Sequence, residues 1–228
     1  MPASTPLVLS VTLGRAIPTD HSDRGVTGID KRPTDRQVLV AAPGPKGLAG
    51  SGLAGDEVCD RRHHGGNDQA VYAYPREDLD RWQAVLDRQL PNGAFGENLT
   101  TSGIDLTAAV AGETWRVGTE LLLQTTVPRI PCRTFAGFLG ERGWVRRFTE
   151  TARTGTYLRV LRPGQVRAGD TIEVLDRPDH GVTIQTIFRA FTTRPDLLPL
   201  LAVVASLPDE AREMVERRVP FVLDTESG

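Results

Sequence analysis

The sequence holds two cysteines, and one of them sits in a setting suited to covalent or redox chemistry. Cys132 lies in Val127-Pro128-Arg129-Ile130-Pro131-Cys132-Arg133. The prolines stiffen this segment by fixing φ, and the guanidinium groups of Arg129 and Arg133 favour a thiolate. A thiolate attacks electrophiles and ligates soft or high-valent metals. Free cysteine is also among the most buried residue types, so an inert packed thiol stays open on residue type alone. Cys59, in Gly55-Asp56-Glu57-Val58-Cys59-Asp60, has acidic neighbours that disfavour a thiolate and reads as a structural bystander.

Three further loops could present polar groups to a ligand. In His63-His64-Gly65-Gly66-Asn67-Asp68 the glycines allow close backbone approach and can turn N–H groups toward an anion. The paired histidines suggest zinc, but His21, His63, His64, His180 and the cysteines follow no recognised ligand spacing. Neighbouring side chains in extended chain also point to opposite sides. A plain turn and a ligand-contacting loop both remain open. Gly93-Ala94-Phe95-Gly96-Glu97-Asn98-Leu99-Thr100 offers Glu97 and Asn98, unless Asn98 only caps a turn. Lys31 and Arg32 form a pair suited to phosphate, or else a solvated surface pair. With 25 Arg and only Lys31 and Lys46, a retained lysine says more than an arginine does. Cys132 and His64 together would also suit a thiol–imidazole hydrolase. No Walker loop, dinucleotide fingerprint, GxSxG or HExxH occurs.

Gly and Pro supply 23 and 16 of the 228 residues, a surplus that favours tight turns and short strands over a helical bundle. Strands are expected over 7–13, 38–41, 70–74, 120–127 and 156–161, with a hairpin turn at Gly118-Thr119. Ala54-Gly55-Asp56, Ala111-Gly112-Glu113 and Ala168-Gly169-Asp170 share a glycine and an acid before alternating apolar positions, as if one strand-opening device were reused. Helices are expected over 75–90, where Leu79, Trp82, Leu86 and Leu90 recur at helical spacing, and over 144–151. Beyond Asp176-Arg177-Pro178 the pattern turns helical over 182–191, 196–205 and 208–219. This predicts a mainly β, α+β domain over 1–177 and a small three-helix unit over 178–228 docked upon it. A net charge of −2 argues against a nucleic-acid partner. Residues 197–207, the longest apolar stretch, are too few to span a bilayer, and the expectation is a cytoplasmic protein.

Taken in order, Gly28-Ile29-Asp30-Lys31-Arg32-Pro33, Leu53-Ala54-Gly55-Asp56, His63-His64-Gly65-Gly66, residues 93–99, Pro128-Arg129-Ile130-Pro131-Cys132 and Gly155-Thr156-Tyr157-Leu158-Arg159-Val160 resemble the MOSC domain family, in its YiiM-like branch. The resemblance implies a β-barrel holding the molybdenum cofactor, a molybdopterin, with Cys132 as molybdenum ligand and catalytic thiolate. Lys31, Arg32 and Arg129 would face the pterin phosphate, and His64, Gly65, Gly66, Glu97 and Asn98 would line the pocket, with Arg159 a weaker transfer. The implied activity is reduction of N-hydroxylated compounds, such as hydroxylaminopurine-type bases, to amines. Electrons would come from a separate reductase, since two cysteines cannot supply a Cys₄ cluster. Asp56 and Glu97 are proton-donor candidates by side-chain type. The alternative is a cofactor or sulfur carrier without turnover. The insert at residues 43–52 departs from the family pattern and is expected to be a flexible excursion near the pocket mouth.

Overall fold

The computed structural model describes residues 5–221 and 223. The chain begins with β1 (Leu7–Gly14), a two-residue ribbon of β2 (Ile17–Pro18) and β3 (Val26–Thr27), then β4 (Lys31–Thr34) and β5 (Val38–Val40). After the long loop that carries the paired histidines come β6 (Val71–Pro75), α1 (Arg76–Leu86), β7 (Leu99–Ser102), β8 (Thr114–Val117) and β9 (Leu121–Pro128). Helices α2 (Arg133–Leu139) and α3 (Trp144–Thr151) lead to β10 (Thr156–Arg162), β11 (Gly164–Val166) and β12 (Ile172–Asp176). Eight strands form one sheet in the order β12-β8-β9-β10-β6-β7-β1-β4, antiparallel except at β6–β7.

The expected mixed, mainly β architecture is present, but the sheet rolls up without closing as a continuous barrel. The chain entering β12 meets β1 at one bridge, Leu7 to Thr171, where the Val8 N–H donates to the Asp170 carbonyl at 2.8 Å. A longer ladder has no room there. One side of β1 pairs with β7 along Leu7–Val11, and the other is taken by β4 from Val11 to Gly14.

Two apolar clusters stabilise this frame. Val8, Val11, Leu99, Trp115, Leu121, Leu123 and Leu158 pack inside the sheet. The C-terminal residues Ile184, Ile187, Phe191, Leu198 and Leu201 join the same cluster, so the helices after residue 177 share the sheet's core. An aromatic cluster lies under α1–α3, with Phe135 5.1 Å from Phe95 and 5.3 Å from Trp144 between ring centroids. Such edge-on pairs each add about 0.5–1.5 kcal/mol beyond area burial.

Several local expectations needed tertiary information. Helix α1 begins after Pro75, which stays extended as the last residue of β6, and ends at Asp87 in the left-handed region, before Leu90. The C-terminal unit consists of α4 (Ile184–Phe191), a 3₁₀ segment over Pro195–Val203 and α5 (Asp209–Arg217). Pro199 inside the middle segment denies an α-helix one of its hydrogen bonds. Ala111-Gly112-Glu113 and Ala168-Gly169-Asp170 do precede strands, whereas Ala54-Gly55-Asp56 leads into a loop. No helix among the described residues is long and apolar enough to cross a membrane.

Candidate functional site

One cleft opens where β4, the β9–α2 connection and the loop through His64 converge. It encloses about 720 Å³ including the open space at its mouth. Cys132, Arg129, His64, Gly65, Lys31 and Asn98 all line it.

Cys132 stands between β9 and α2, partly buried, with extended backbone and its carbonyl accepting the Ala136 N–H at 3.1 Å. Just upstream, the pairing of β9 with β10 slips: Thr156 faces Pro128 while Leu158 faces Thr125. The extra residue on β9 is a bulge, which bends the strand immediately before Arg129.

Arg129 is 5% exposed, with its guanidinium 4.4 Å from the Phe135 ring centroid and 5.3 Å from that of Tyr72. No carboxylate pairs with it among the described residues, and its Nε has no hydrogen-bond partner. Burial works against the charge, yet Tyr157, Tyr72 and Cys132 around it hold its pKa above the ordinary value. A desolvated cation that touches only aromatic faces and phenols is incompletely satisfied.

The opposite wall is already neutralised. Lys31 Nζ lies 2.5 Å from Asp56 Oδ1, with side chains 7% and 0% exposed. Asp56 also accepts from the Gly14 N–H at 2.7 Å and Asn98 Nδ2 at 2.8 Å. Asn98 Oδ1 in turn accepts the Tyr72 N–H at 3.1 Å. This chain of contacts fixes the wall's shape.

His64 is partly buried, and burial together with the positive Arg129 lowers its pKa to about 4. At neutral pH it is therefore an uncharged imidazole, able to bond a ligand but not to attract an anion. The sign for stability follows. Below pH 6.5 an unfolded chain protonates this histidine and the folded protein does not, so stability falls as pH drops toward 4. Relative to His64→Gln, the wild type is expected to lose about 1–2 kcal/mol between pH 7 and 5. Urea titrations at both pH values check this, and parallel losses in the two proteins would count against a depressed histidine.

The neighbouring glycines serve the fold. A Cβ on Gly65 would stand 2.6 Å from the Gly50 carbonyl oxygen, and one on Gly66 2.7 Å from the Lys46 backbone. The insert at residues 43–52 is therefore no loose excursion. It packs against the histidine loop, where the Gly66 N–H donates to the Gly50 carbonyl at 3.0 Å and the Gly44 N–H to Asn67 Oδ1 at 2.9 Å.

Four expected site residues lie outside the cleft lining. Gly66 is held as just described. Arg32, its side chain 77% exposed, pairs with Asp30 at 2.8 Å on the other side of β4. Glu97 is fully buried and accepts from the Gly93 N–H at 2.6 Å, the Phe95 N–H at 3.0 Å and the Thr100 hydroxyl at 2.8 Å, so it shapes its own loop. Arg159 pairs with Asp68 at 2.7 Å and donates to the Ser206 carbonyl at 2.8 Å, fastening the histidine loop to the C-terminal unit.

Sequence reasoning passed over Cys59, Tyr72 and Tyr157, which also line the cleft. The close passage of Gly28 against Glu57, where a Cβ would meet the carbonyl at 2.1 Å, brings Cys59 there. Tyr157 had a signal in the Gly-Thr-Tyr segment of a strand bordering β9. Among the described residues no three His, Cys, Asp or Glu side chains converge as a metal site. A metal bound beside Cys132 would have to bring its remaining ligands with it, as a molybdopterin does. The orphaned Arg129 and the thiol of Cys132 fit such a group.

Comparison with known proteins agrees with this geometry. The sequence profile of the MOSC domain matches residues 60–173. The chain is 36% identical to the uncharacterized protein YflK of Bacillus subtilis over 179 residues, covering 78% of this chain and 77% of that one. It is 32% identical to a reductase of Gibberella moniliformis over 72% of this chain, but that match spans only 30% of the fungal protein. The crystal structure of YiiM from Geobacillus stearothermophilus superposes with a TM-score of 0.75 at 25% identity, over 94% of this chain and 99% of that one. A matched profile, a bacterial relative aligned over most of both chains and a shared rolled sheet lead to one conclusion: the chain belongs to the MOSC domain family, which is associated with molybdenum cofactor binding.

Proposed function

We propose that the protein is a molybdenum-cofactor-dependent reductase of N-hydroxylated compounds, of the hydroxylaminopurine class, supplied with electrons by a separate reductase. The observation that carries this reading is the buried, carboxylate-free Arg129 beside Cys132. It provides a cation for an anionic cofactor next to one thiolate donor for its metal. Cys132 would ligate the metal, Arg129 would meet the phosphate, and Asn98, Gly65 and neutral His64 would border the pterin. The bound cofactor supplies the two-electron chemistry, and the protein orients the substrate and excludes bulk water. A relative named a reductase supports the oxidoreductase class.

The test is expression in a host that makes the cofactor, followed by molybdenum analysis of wild type and Cys132→Ala. Wild type is expected to retain near-stoichiometric metal and the variant at least tenfold less. Equal metal in both would overturn the ligation, and none in either would overturn the cofactor assignment. Turnover of 6-hydroxylaminopurine with a viologen reductant then separates an enzyme from a carrier.

A further inference from the structure

We propose that Gln69 reads the ring system of the ligand, its carboxamide pairing with the amino and ring-nitrogen edge of a fused pyrimidine heterocycle. The inference rests on the reductase reading above, in which the pterin and the purine substrate both carry such an edge. Two carboxamides line the cleft, Asn98 and Gln69. Asn98 is spent at both ends, its Nδ2 on Asp56 at 2.8 Å and its Oδ1 on the Tyr72 N–H at 3.1 Å. Gln69 is spent at neither. Its Oε1 is buried without a hydrogen-bond partner, and its Nε2 has none among the described residues. Folded proteins seldom leave a buried acceptor unpaired, because the hydration it loses is not returned.

Neighbouring groups of the lining show what commitment looks like. The Tyr72 hydroxyl donates to the Thr154 carbonyl at 2.7 Å and the Thr134 hydroxyl to the His21 carbonyl at 2.9 Å. Glu57 accepts the Ala16 N–H at 2.6 Å, and Asp56 is held by Lys31, Gly14 and Asn98. The chain around Gln69 is fastened as well. Gln69 closes the 3₁₀ turn Asn67–Gln69 just before β6, and its N–H donates to the Gly66 carbonyl at 3.1 Å. On one side the Asp68 carbonyl accepts the Thr126 hydroxyl at 2.7 Å, and on the other the Ala70 carbonyl accepts the Gly52 N–H at 2.7 Å. With the backbone fixed, ordering this side chain on a ligand costs only its own rotamers.

A carboxamide is planar and sets an acceptor beside a donor, so its complement is a planar edge with a donor beside an acceptor. An amino group next to a ring nitrogen has that pattern, and glutamine reads adenine in this way. A phosphate only accepts, so it cannot satisfy Oε1. The apolar side chains of Val26 and Ile29 and the ring of Tyr157 also line the cleft, as a flat ring requires. The contact is between neutral groups and needs no charge from the protein.

Gln69→Leu keeps the side-chain bulk and removes both polar ends. Without cofactor it is expected to melt no more than about 3 °C below wild type, because no partner is lost. Produced as holoprotein, it should lose ring binding on one of two readouts. If the edge is the pterin's, pterin content falls about tenfold. If the edge is the purine's, pterin content holds, and calorimetry shows the Kd for adenine, the amine product, rising about tenfold. Turnover of hydroxylamine, which has no ring, is then unchanged. Gln69→Glu keeps an acceptor and loses the N–H donors, so it should share the loss; tighter binding would mean an edge of two donors and overturn the pairing. Unchanged pterin content together with an adenine affinity within twofold of wild type, or with no adenine binding by either protein, would overturn the assignment. A larger fall in melting temperature would make the carboxamide structural and overturn it too. A wild type without molybdenum would instead count against the reductase reading, and adenine binding to the cofactor-free proteins would still test Gln69.

Discussion

Arg129→Met is expected to strip the protein of its cofactor while leaving the cofactor-free fold as stable as wild type, or more so. The two effects have opposite signs because one feature causes both. In the cofactor-free protein the guanidinium is desolvated, unpaired with any carboxylate among the described residues, and compensated by the faces of Phe135 and Tyr72. Those contacts return about 0.5–2 kcal/mol each. A buried charge without a counterion costs more than such contacts offset. Methionine fills a similar volume and carries no charge to bury. With cofactor present, an arginine–phosphate contact is charge-assisted and bidentate, and its loss from a dry site removes about 3–4 kcal/mol. Cofactor retention should therefore fall about 100- to 1000-fold. Pterin and molybdenum content of purified protein, read beside urea midpoints of the cofactor-free forms, checks both halves. A cofactor-free Arg129→Met protein destabilised by more than about 1 kcal/mol would make the residue a structural strut instead.

The site was legible in the sequence to the extent that strand geometry carries information. Lys31 and Arg32 are neighbours on β4, so alternation alone forbids both from facing one pocket. Lys31 is 8% exposed and turned inward, while the Arg32 side chain is 77% exposed. Glu97 and Asn98 divide too, but in the loop before β7, where one shapes the loop and the other borders the cleft. Motif order pointed to both pairs; the period-2 rule divides Lys31 from Arg32, whereas Glu97 and Asn98 are divided by a loop with no such period.

Other features depend on contacts distant in sequence. The three Gly-acid segments look alike, yet Asp56 spends its carboxylate on Gly14 and Lys31, and no strand follows it. Helix α2 has seven residues with Gly137 among them, too short for a periodic apolar signal. Cys59 was set aside because of its acidic sequence neighbours, which do disfavour a thiolate, and burial does so more strongly. Neither effect bears on whether the loop passes the cleft, and it does. Strands such as β9 and β10 were readable because their alternation reflects a half-buried ladder, a local cause. Arg129's isolation had no local cause: the carboxylates Asp56, Glu97 and Asp68, each from a distant segment, are already taken by other donors.

The Lys31–Asp56 pair makes the complementary prediction, a large loss of stability with a small loss of binding. Lys31→Met leaves the Asp56 carboxylate fully buried, with the Gly14 and Asn98 donors but no countercharge. Breaking one half of a buried ion pair costs about 3–5 kcal/mol. At about 2–4 °C per kcal/mol for a chain of this length, the melting temperature should fall by roughly 10 °C. Asp56→Asn removes the countercharge from a buried ammonium and should also destabilise. The double variant Lys31→Met/Asp56→Asn leaves neither charge behind, so it should cost at least about 2 kcal/mol less than the sum of the single changes. Cofactor retention in Lys31→Met should fall by no more than about tenfold, because Asp56 already neutralises the charge that this wall could offer a phosphate. Denaturant titrations of the four cofactor-free proteins measure the coupling. Additive losses would mean that solvent reaches the pair, and a retention loss as deep as that of Arg129→Met would move the phosphate to the Lys31 wall. The two walls of the cleft thus separate by experiment: one cation is held by the protein's own carboxylate, and the other is left for the ligand.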